Sequence, residues 1–157
     1  MHREEDVTDP PPRRVAVGVA LLRQANGDVL LVEKARRNGR ARFGLAGGAA
    51  RAGESVNVAC QRVVREETGL VIVPSRVLVI HHTPVAENYT VVFDGGVVPD
   101  NGQPPVLVGA APEELRQLVA PAVQWCVDVA LDALRGGPVR VLVGQPDFSC
   151  GFGELAR

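Results

Sequence analysis

The chain has 157 residues, of which 46% are hydrophobic, and this length and composition suit a single hydrophobic core. Its net charge of −1 argues against a surface that binds nucleic acid polymers or membranes without specificity. The three cysteines are widely spaced and form no C-x-x-C pair, which argues against a disulfide framework or a zinc site and favours a reducing, cytoplasmic location.

The two ends of the chain differ in composition from its middle. Residues 1–12 are charged and proline-rich, which predicts a flexible N-terminal tail, and they contain no apolar stretch of the kind found in signal peptides. The longest apolar run, residues 15–22, is too short to span a bilayer. We therefore expect one domain over residues 13–145, followed by a C-terminal tail over residues 146–157.

Alternating apolar and polar residues predict the strands, and proline and glycine mark the breaks between them. In chain order the predicted strands cover residues 14–23, 29–34, 43–46, 70–73, 77–82, 89–94 and 139–143. A hairpin signal, Asn26-Gly27-Asp28, separates the first two strands, and a loop is expected before residue 43. Helices are predicted at 56–68, after Pro112, and at 121–134. Mixed strands with helices on different sides fit an α/β/α sandwich.

The first predicted helix ends in two adjacent acids, Glu66 and Glu67. Ser55 is a suitable N-cap, and Gly69 suits the left-handed residue that follows many helices. At about 100° per residue, one face carries apolar residues and an acid: Val56, Ala59, Cys60, Val63 and Glu67. A carboxylate on an apolar face is costly unless a positive group meets it, so a divalent metal is the first hypothesis.

An ordinary amphipathic helix with two solvated acids at its end is the alternative interpretation. Acids at a helix C-terminus oppose the helix dipole, so the helix gains no local stability from having two of them there. Arg62 lies four residues before Glu66 and can pair with it. A functional explanation of the acid pair is therefore favoured.

Residues 48–70 resemble the Nudix box, G-x5-E-x7-R-E-U-x-E-E-x-G-U, in which U is aliphatic. Eight positions match at the right spacing: Gly48, Glu54, Arg62, Val64, Glu66, Glu67, Gly69 and Leu70. One position departs from the box, because Val63 stands where the family has the first glutamate of R-E. The resemblance implies an α/β fold, a Nudix-type α/β/α sandwich with a mixed central sheet.

The resemblance also implies an activity, the metal-dependent hydrolysis of a phosphoanhydride in a small nucleoside-diphosphate-X-like substrate. The implied cofactor is Mg²⁺ or Mn²⁺, since hard cations prefer oxygen ligands. By position, Glu67 would be the principal metal ligand, with Glu66 and the backbone carbonyl of Gly47 as further ligands. Arg62 and Glu54 would hold the loop and the helix in register, which completes a catalytic group of Glu66, Glu67, Arg62 and Glu54.

Val63 can neither bind a metal nor act as a base, and this predicts weakened hydrolysis. A general base contributes about 10²–10⁴-fold to a rate. Glu87, His81 and His82 are candidates for a replacement base. For the two histidines the preferred interpretation is a strand end at which one side chain is packed and the other is solvated, because adjacent strand residues point to opposite faces. Residues 105–111 supply no further carboxylate. A catalytically inactive Nudix-fold module that binds a ligand or a protein is the alternative function.

A cluster of cations precedes the glycine-rich segment. It comprises Lys34, Arg36, Arg37, Arg40 and Arg42. An arm that binds substrate phosphates through guanidinium groups and a solvated surface loop explain this cluster equally well. With Phe43, placed to stack on a base, and Gly48, the arginines form the predicted substrate site. The expected partner is a small phosphoanhydride, not a nucleic acid polymer or a membrane, and a homodimer is left open.

Overall fold

A computed structural model describes residues 14–145, and its centre is a mixed sheet that pairs eight strands within those residues. Six strands follow the order β3-β2-β1-β6-β5-β8, while β4 pairs with β1 and β7 pairs with β2. In chain order the strands are β1 (Val15–Arg23), β2 (Val29–Arg37), β3 (Arg40–Gly44), β4 (Ala46–Ala49), β5 (Val77–Thr83), β6 (Asn88–Val97), β7 (Val108–Ala110) and β8 (Arg140–Val143).

Three α-helices lie among the described residues. They are α1 (Val56–Thr68), α2 (Leu115–Leu118) and α3 (Pro121–Leu134), and a single 3-10 turn at Pro112–Glu114 precedes α2. The predicted bounds of α1 are confirmed, because Ser55 is its extended N-cap residue and Gly69 follows it with a φ of 78°. None of the helices in residues 14–145 is long and apolar enough to cross a membrane.

The core is divided between the two faces of the sheet. Successive residues of β1 point to opposite faces, so that Leu21 belongs to the apolar cluster that includes α3, and Leu22 to the cluster that includes α1. Both faces are therefore covered by helices. The predicted α/β/α sandwich with a mixed central sheet is confirmed: β1 pairs in parallel with β6 and antiparallel with β2.

The stretch from residue 29 to residue 46 differs from its prediction. The expected loop is a hairpin, because β2 continues to Arg37 and turns at Asn38 and Gly39 into β3. Both turn residues have positive φ values, 51° and 75°, which asparagine and glycine tolerate. The clustered arginines therefore lie on paired strands, and the predicted strand 43–46 is divided between β3 and β4.

The predicted strand at 70–73 is wrong. These residues run beside α1 without joining the sheet, and the carbonyl oxygen of Ile72 accepts a hydrogen bond from the Gln61 side chain at 2.8 Å. Ile72 is buried against α1, while Val71 and Val73 are largely exposed. The run of four apolar residues is typical of a strand, but here a helix side chain, that of Gln61, bonds the backbone in place of a neighbouring strand.

The buried face of α1 is also rotated from the predicted one. Its buried residues are Ala59, Cys60, Val64 and Thr68. Val63 and Glu67 lie at the edge of this face and are only partly buried. From this edge both side chains face β4, the glycine-rich strand, which therefore lies next to the C-terminal end of α1. The tails predicted at 1–12 and 146–157 lie outside the described residues.

Candidate active site

The site begins where β4 passes the C-terminal end of α1. Gly47 pairs with Val19 of β1 and has a φ of 137°, and a Cβ atom at this position would collide with the Gly18 carbonyl. Only glycine allows this close approach of two strands. The backbone N–H of Gly47 then donates a hydrogen bond to Oε1 of Glu67 at 2.9 Å. This bond ties the last acid of α1 to the glycine-rich strand.

Lys34 of β2 meets the same two residues. Its Nζ atom donates to both carboxylate oxygens of Glu67, each at 2.9 Å, and to the carbonyl oxygen of Gly47 at 2.8 Å. Three oxygens from two elements thus converge on one ammonium nitrogen. The side chains of Lys34 and Glu67 are 33% and 25% exposed, so the pair is partly shielded from water.

Arg62 joins the loop before α1 to the helix itself. Its guanidinium group donates two hydrogen bonds of 2.9 Å to Glu54 and a third of 3.2 Å to the Ala49 carbonyl. Hydrogen bonding by Arg62, and then by the backbone N–H of Arg51, lowers the pKa of Glu54 from 4.5 to about 2. The same pairing with Glu54 raises the pKa of Arg62. Glu54 is thereby held as a carboxylate.

Glu66 lies outside the Lys34 contact. It accepts from Arg62 at 3.3 Å, as the four-residue spacing predicts, and its side chain is 54% exposed. Val63 is one turn earlier and faces the glycines, since a Cβ atom added at Gly48 would lie 3.0 Å from its Cγ1. The position where the box has its first glutamate therefore touches the glycine-rich strand, but here it presents only methyl groups.

The oxygens of this site suit a hard cation in type and in placement. The convergence of Glu67 and Gly47 on the Lys34 ammonium marks one point where a positive ion would meet three oxygens, and Glu66 is the adjacent acid. Mg²⁺ commonly binds one or two carboxylates and completes its shell with water and phosphate. No group of three or more His, Cys, Asp and Glu side chains among residues 14–145 is placed to hold a metal. The donors at this point are therefore the carboxylates of Glu67 and Glu66 and the carbonyl oxygen of Gly47.

A cleft of about 740 Å³ opens beside this point, between the sheet and the start of α3. Several residues named from the sequence line it: Lys34, Arg37, Arg42, Phe43, Gly47 and Gly48. Arg36 and Arg40 are not among its lining residues. Arg36 instead pairs with Glu33 at 3.1 Å and donates to the Gly39 carbonyl at 3.2 Å. The structure therefore brings two of the four arginines to the cleft.

The three candidates for a replacement base differ in position. His81 lines the cleft, but it is buried and its Nε2 lies 2.7 Å from the Gly144 carbonyl oxygen. His82 stacks on Tyr89 with ring centroids 4.3 Å apart. Neither His82 nor Glu87 lines the cleft. His81 is thus the only one of the three candidates that lines the cleft, and its Nε2 is engaged by the Gly144 carbonyl.

Two parts of the site were missed by sequence reasoning. Lys34 was grouped with the arginines and not with Glu67, although it is the only lysine in the chain. That single departure from arginine was the one sequence feature that set this position apart from the rest of the cluster. The wall supplied by Ala122, Val123 and Cys126 of α3 was also missed, because small apolar residues in a helix give no sign that they face a cleft.

Comparison with known proteins identifies the family. A family model described as the NUDIX domain matches residues 12–130. The fold is similar to a NUDIX hydrolase from Nitrosomonas europaea (25% identity, TM-score 0.62, 77% of this chain and 90% of the other). It is also similar to the E. coli ORF135 protein (27% identity, TM-score 0.61, 78% and 91%). An ADP-ribose pyrophosphatase from Streptococcus suis shares the fold at 18% identity (TM-score 0.59, 83% and 99%).

A search of curated proteins gave no match. The family model nevertheless covers well over half of the chain, and it includes the glycine-rich strand, α1 and the cleft residues of β2 and β3. The protein belongs to the Nudix family.

Proposed function

We propose that this protein hydrolyses the phosphoanhydride of a small nucleoside-diphosphate-X-like molecule, with Mg²⁺ or Mn²⁺ as cofactor and at a rate lowered by Val63. One observation carries the proposal: Glu67 and the Gly47 carbonyl converge on a single cation position beside a cleft lined with arginines. These contacts also tie α1 to β2 and β4, and they place the acidic end of the helix at the cleft. This arrangement suits a site that gathers positive charge around phosphate oxygens.

Glu67, Glu66 and the Gly47 carbonyl would hold the ion. When bound there, a hard dication would offset charge on the phosphate oxygens and acidify the attacking water. Arg62 keeps these ligands in place through its bonds to Glu54 and to the Ala49 carbonyl.

The cleft supplies the remaining recognition. Arg37 and Arg42 bring two guanidinium groups to it, and guanidinium groups bind phosphate oxygens in a two-pronged geometry. Phe43 offers an aromatic face at the same wall, and it is only half-buried, which leaves it accessible for stacking on a base. Phosphates near the two arginines and a base near Phe43 would span the cleft.

Val63 sets the expected rate. Its methyl groups lie against Gly48, where a glutamate would accept a proton or bind a metal, and the nearby His81 is engaged by Gly144. Without a positioned base, turnover falls by roughly 10²–10⁴-fold relative to a site that has one. This departure and the absence of a carboxylate in residues 105–111 are the two features that favour the alternative function, an inactive Nudix-fold module that binds a ligand or a protein.

Turnover on a substrate panel tests the proposal. We expect release of a nucleoside monophosphate from at least one member of a panel that includes ADP-ribose and a UDP-sugar, assayed with millimolar Mg²⁺ or Mn²⁺. Glu67→Gln removes one charge from the cation position and should lower this rate below detection. Glu113→Gln changes an exposed acid that does not line the cleft; it is the matched control and should leave the rate unchanged. No turnover on any compound with either ion would overturn the proposal and favour the binding module.

A further inference from the structure

The cation position beside Glu67 is filled by the protein itself. The Lys34 ammonium bonds both carboxylate oxygens of Glu67 and the carbonyl oxygen of Gly47, at 2.8–2.9 Å. Those are the oxygens that the proposed metal ion requires. An ammonium nitrogen and a dication cannot occupy the same point, and two positive groups held side by side would repel each other strongly.

We propose that Lys34 is a built-in counter-cation that competes with the divalent ion for Glu67 and Gly47, so that the ion binds only after Lys34 has left. The inference rests on the proposed function, because it concerns the loading of the same site. It predicts weak metal binding by the free protein, since the apparent dissociation constant rises as the fraction of protein with a vacant site falls.

An irregularity in β2 accompanies the contact between Lys34 and Glu67. The pairing of β2 with β3 shifts register between Glu33 and Ala35, so Lys34 is the extra residue at an irregularity of the β-bulge kind. Bulges change the direction in which a side chain points and are common beside active sites. Lys34 is thus unpaired with β3 at this point, and its ammonium reaches Glu67 of α1.

Gly44 of the facing strand makes room for this path. A Cβ atom at Gly44 would lie 3.1 Å from Cγ of Lys34 and 3.7 Å from its Cε. The aliphatic stem thus lies directly across the glycine, where a side chain would press on it. The bulge, the glycine and the three hydrogen bonds are separate features that all fix one lysine conformer.

The acids around the site do not favour the metal over Lys34. Glu66 is engaged by Arg62, and position 63 contributes methyl groups that face Gly48. A dication arriving at Glu67 would therefore find one carboxylate and one carbonyl already satisfied by the ammonium, and a second carboxylate, that of Glu66, paired with Arg62. The loss of the carboxylate at position 63 weakens the metal's hold and leaves Lys34 as an effective competitor.

The cleft offers Lys34 a second partner. Lys34 lines the cleft together with Arg37 and Arg42, so a phosphate bound there lies within the region its flexible side chain can reach. Transfer of the ammonium from Glu67 to a substrate phosphate would free the carboxylate and the Gly47 carbonyl. The substrate would then promote loading of the ion, and the free protein would stay in its lysine-bound form.

Metal affinity without substrate is the decisive measurement. Mn²⁺ binding, followed by electron paramagnetic resonance, is compared for the wild type, Lys34→Met and Lys34→Gln, with thermal unfolding recorded for each. Removal of the competitor should tighten Mn²⁺ binding by roughly tenfold or more. Arg116→Met removes one exposed positive charge in α2 from a residue that does not line the cleft, and it should leave the affinity unchanged. If both folded Lys34 variants bind Mn²⁺ no more tightly than the wild type, the proposal is overturned.

Because the chain has a single lysine, the ammonium can also be followed directly. Protein grown with lysine labelled at ¹³Cε and ¹⁵Nζ gives one side-chain signal for Lys34, and the Glu67→Gln protein shows where this signal lies once the carboxylate partner is gone. Saturating Mg²⁺ should move the wild-type signal toward that position. A signal that stays in place while the ion binds would refute competition.

The two experiments separate this inference from the proposed function. If no panel compound is hydrolysed but the Lys34 variants bind Mn²⁺ more tightly, competition holds and the enzymatic proposal fails. If hydrolysis occurs and the variants gain no affinity, competition alone fails.

Discussion

Val63 is the residue whose chemistry departs most from the rest of the site. Its neighbours in the box, Glu66, Glu67 and Arg62, all make polar contacts, whereas Val63 makes an apolar contact with Gly48. The sequence predicted which residues gather here because their spacing along one helix determines the side of α1 on which they lie. It did not predict that Lys34 joins them, because that contact spans 33 positions and depends on a bulge in another strand.

Restoring the carboxylate at position 63 tests how much of the site remains intact. Val63→Glu would place an acid against Gly48, next to Glu67, and should raise turnover by about 10²-fold or more. It should also tighten Mn²⁺ binding, because a second carboxylate favours the ion over the Lys34 ammonium. Steady-state kinetics on the best panel compound gives the rate. Val63→Gln has the same size without the charge, and a glutamate variant no faster than this one would show that the ligand geometry is lost more widely.

Among the elements, α1 was predicted with the correct bounds, whereas the strand predicted after it, at residues 70–73, does not form. The signals for α1 are local, since Ser55 and Gly69 mark its ends and its apolar residues recur at helical spacing. The state of residues 70–73 and of the β2–β3 hairpin depends on which backbone groups pair with them, and this is decided by distant residues. The Gln61 side chain bonds the Ile72 carbonyl, so residue 72 does not pair with a strand. Pairing between β2 and β3 makes the arginine-rich segment part of a hairpin.

The packing of α1 on β1 depends on Gly18. A Cβ atom there would collide with the Val56 carbonyl oxygen at the start of α1 and would lie 3.0 Å from Cβ of Cys60. Gly18→Ala should push the helix away from the sheet and lower the free energy of unfolding by about 1–3 kcal/mol, as overpacking of a core commonly does. Urea denaturation measures the change. Gly102→Ala adds the same methyl group in open space and serves as the control. Equal stability of the two variants would show that the helix does not need this close approach.

At the scale of the whole molecule, the nearly continuous apolar run of β1 fits a sheet that is covered on both sides. Leu21 and Leu22 are fully buried on opposite faces, so a two-layer arrangement with one solvated face is excluded. The strand order was beyond reach of the sequence, because β1 pairs in parallel with β6 across more than 60 intervening residues. Strand pairing over such distances has no local signal.

Within residues 14–145 each face of the sheet contains one buried cysteine, and these two thiols make the cooperativity of the sandwich measurable. Cys60 of α1 lies in one apolar cluster and Cys126 of α3 in the other. Burial raises the pKa of each thiol from 9.0 to about 12, so neither should react in the folded protein at pH 8. Because the raised pKa favours folding only while the thiols stay protonated, this contribution is lost as the pH rises from about 9 toward 12.

If the two layers unfold as one unit, both thiols should become reactive over the same range of denaturant. Pulse labelling of the Cys150→Ser protein at pH 8, read by mass spectrometry, compares them with no contribution from the third cysteine. The variants Cys60→Ser and Cys126→Ser assign each label. Labelling of Cys60 at denaturant concentrations that leave Cys126 protected would mean that α1 opens alone. Glu67 would then be carried on a helix that leaves the sheet before the rest of the fold, and Lys34 would lose its partner by local unfolding as well as by exchange with a metal.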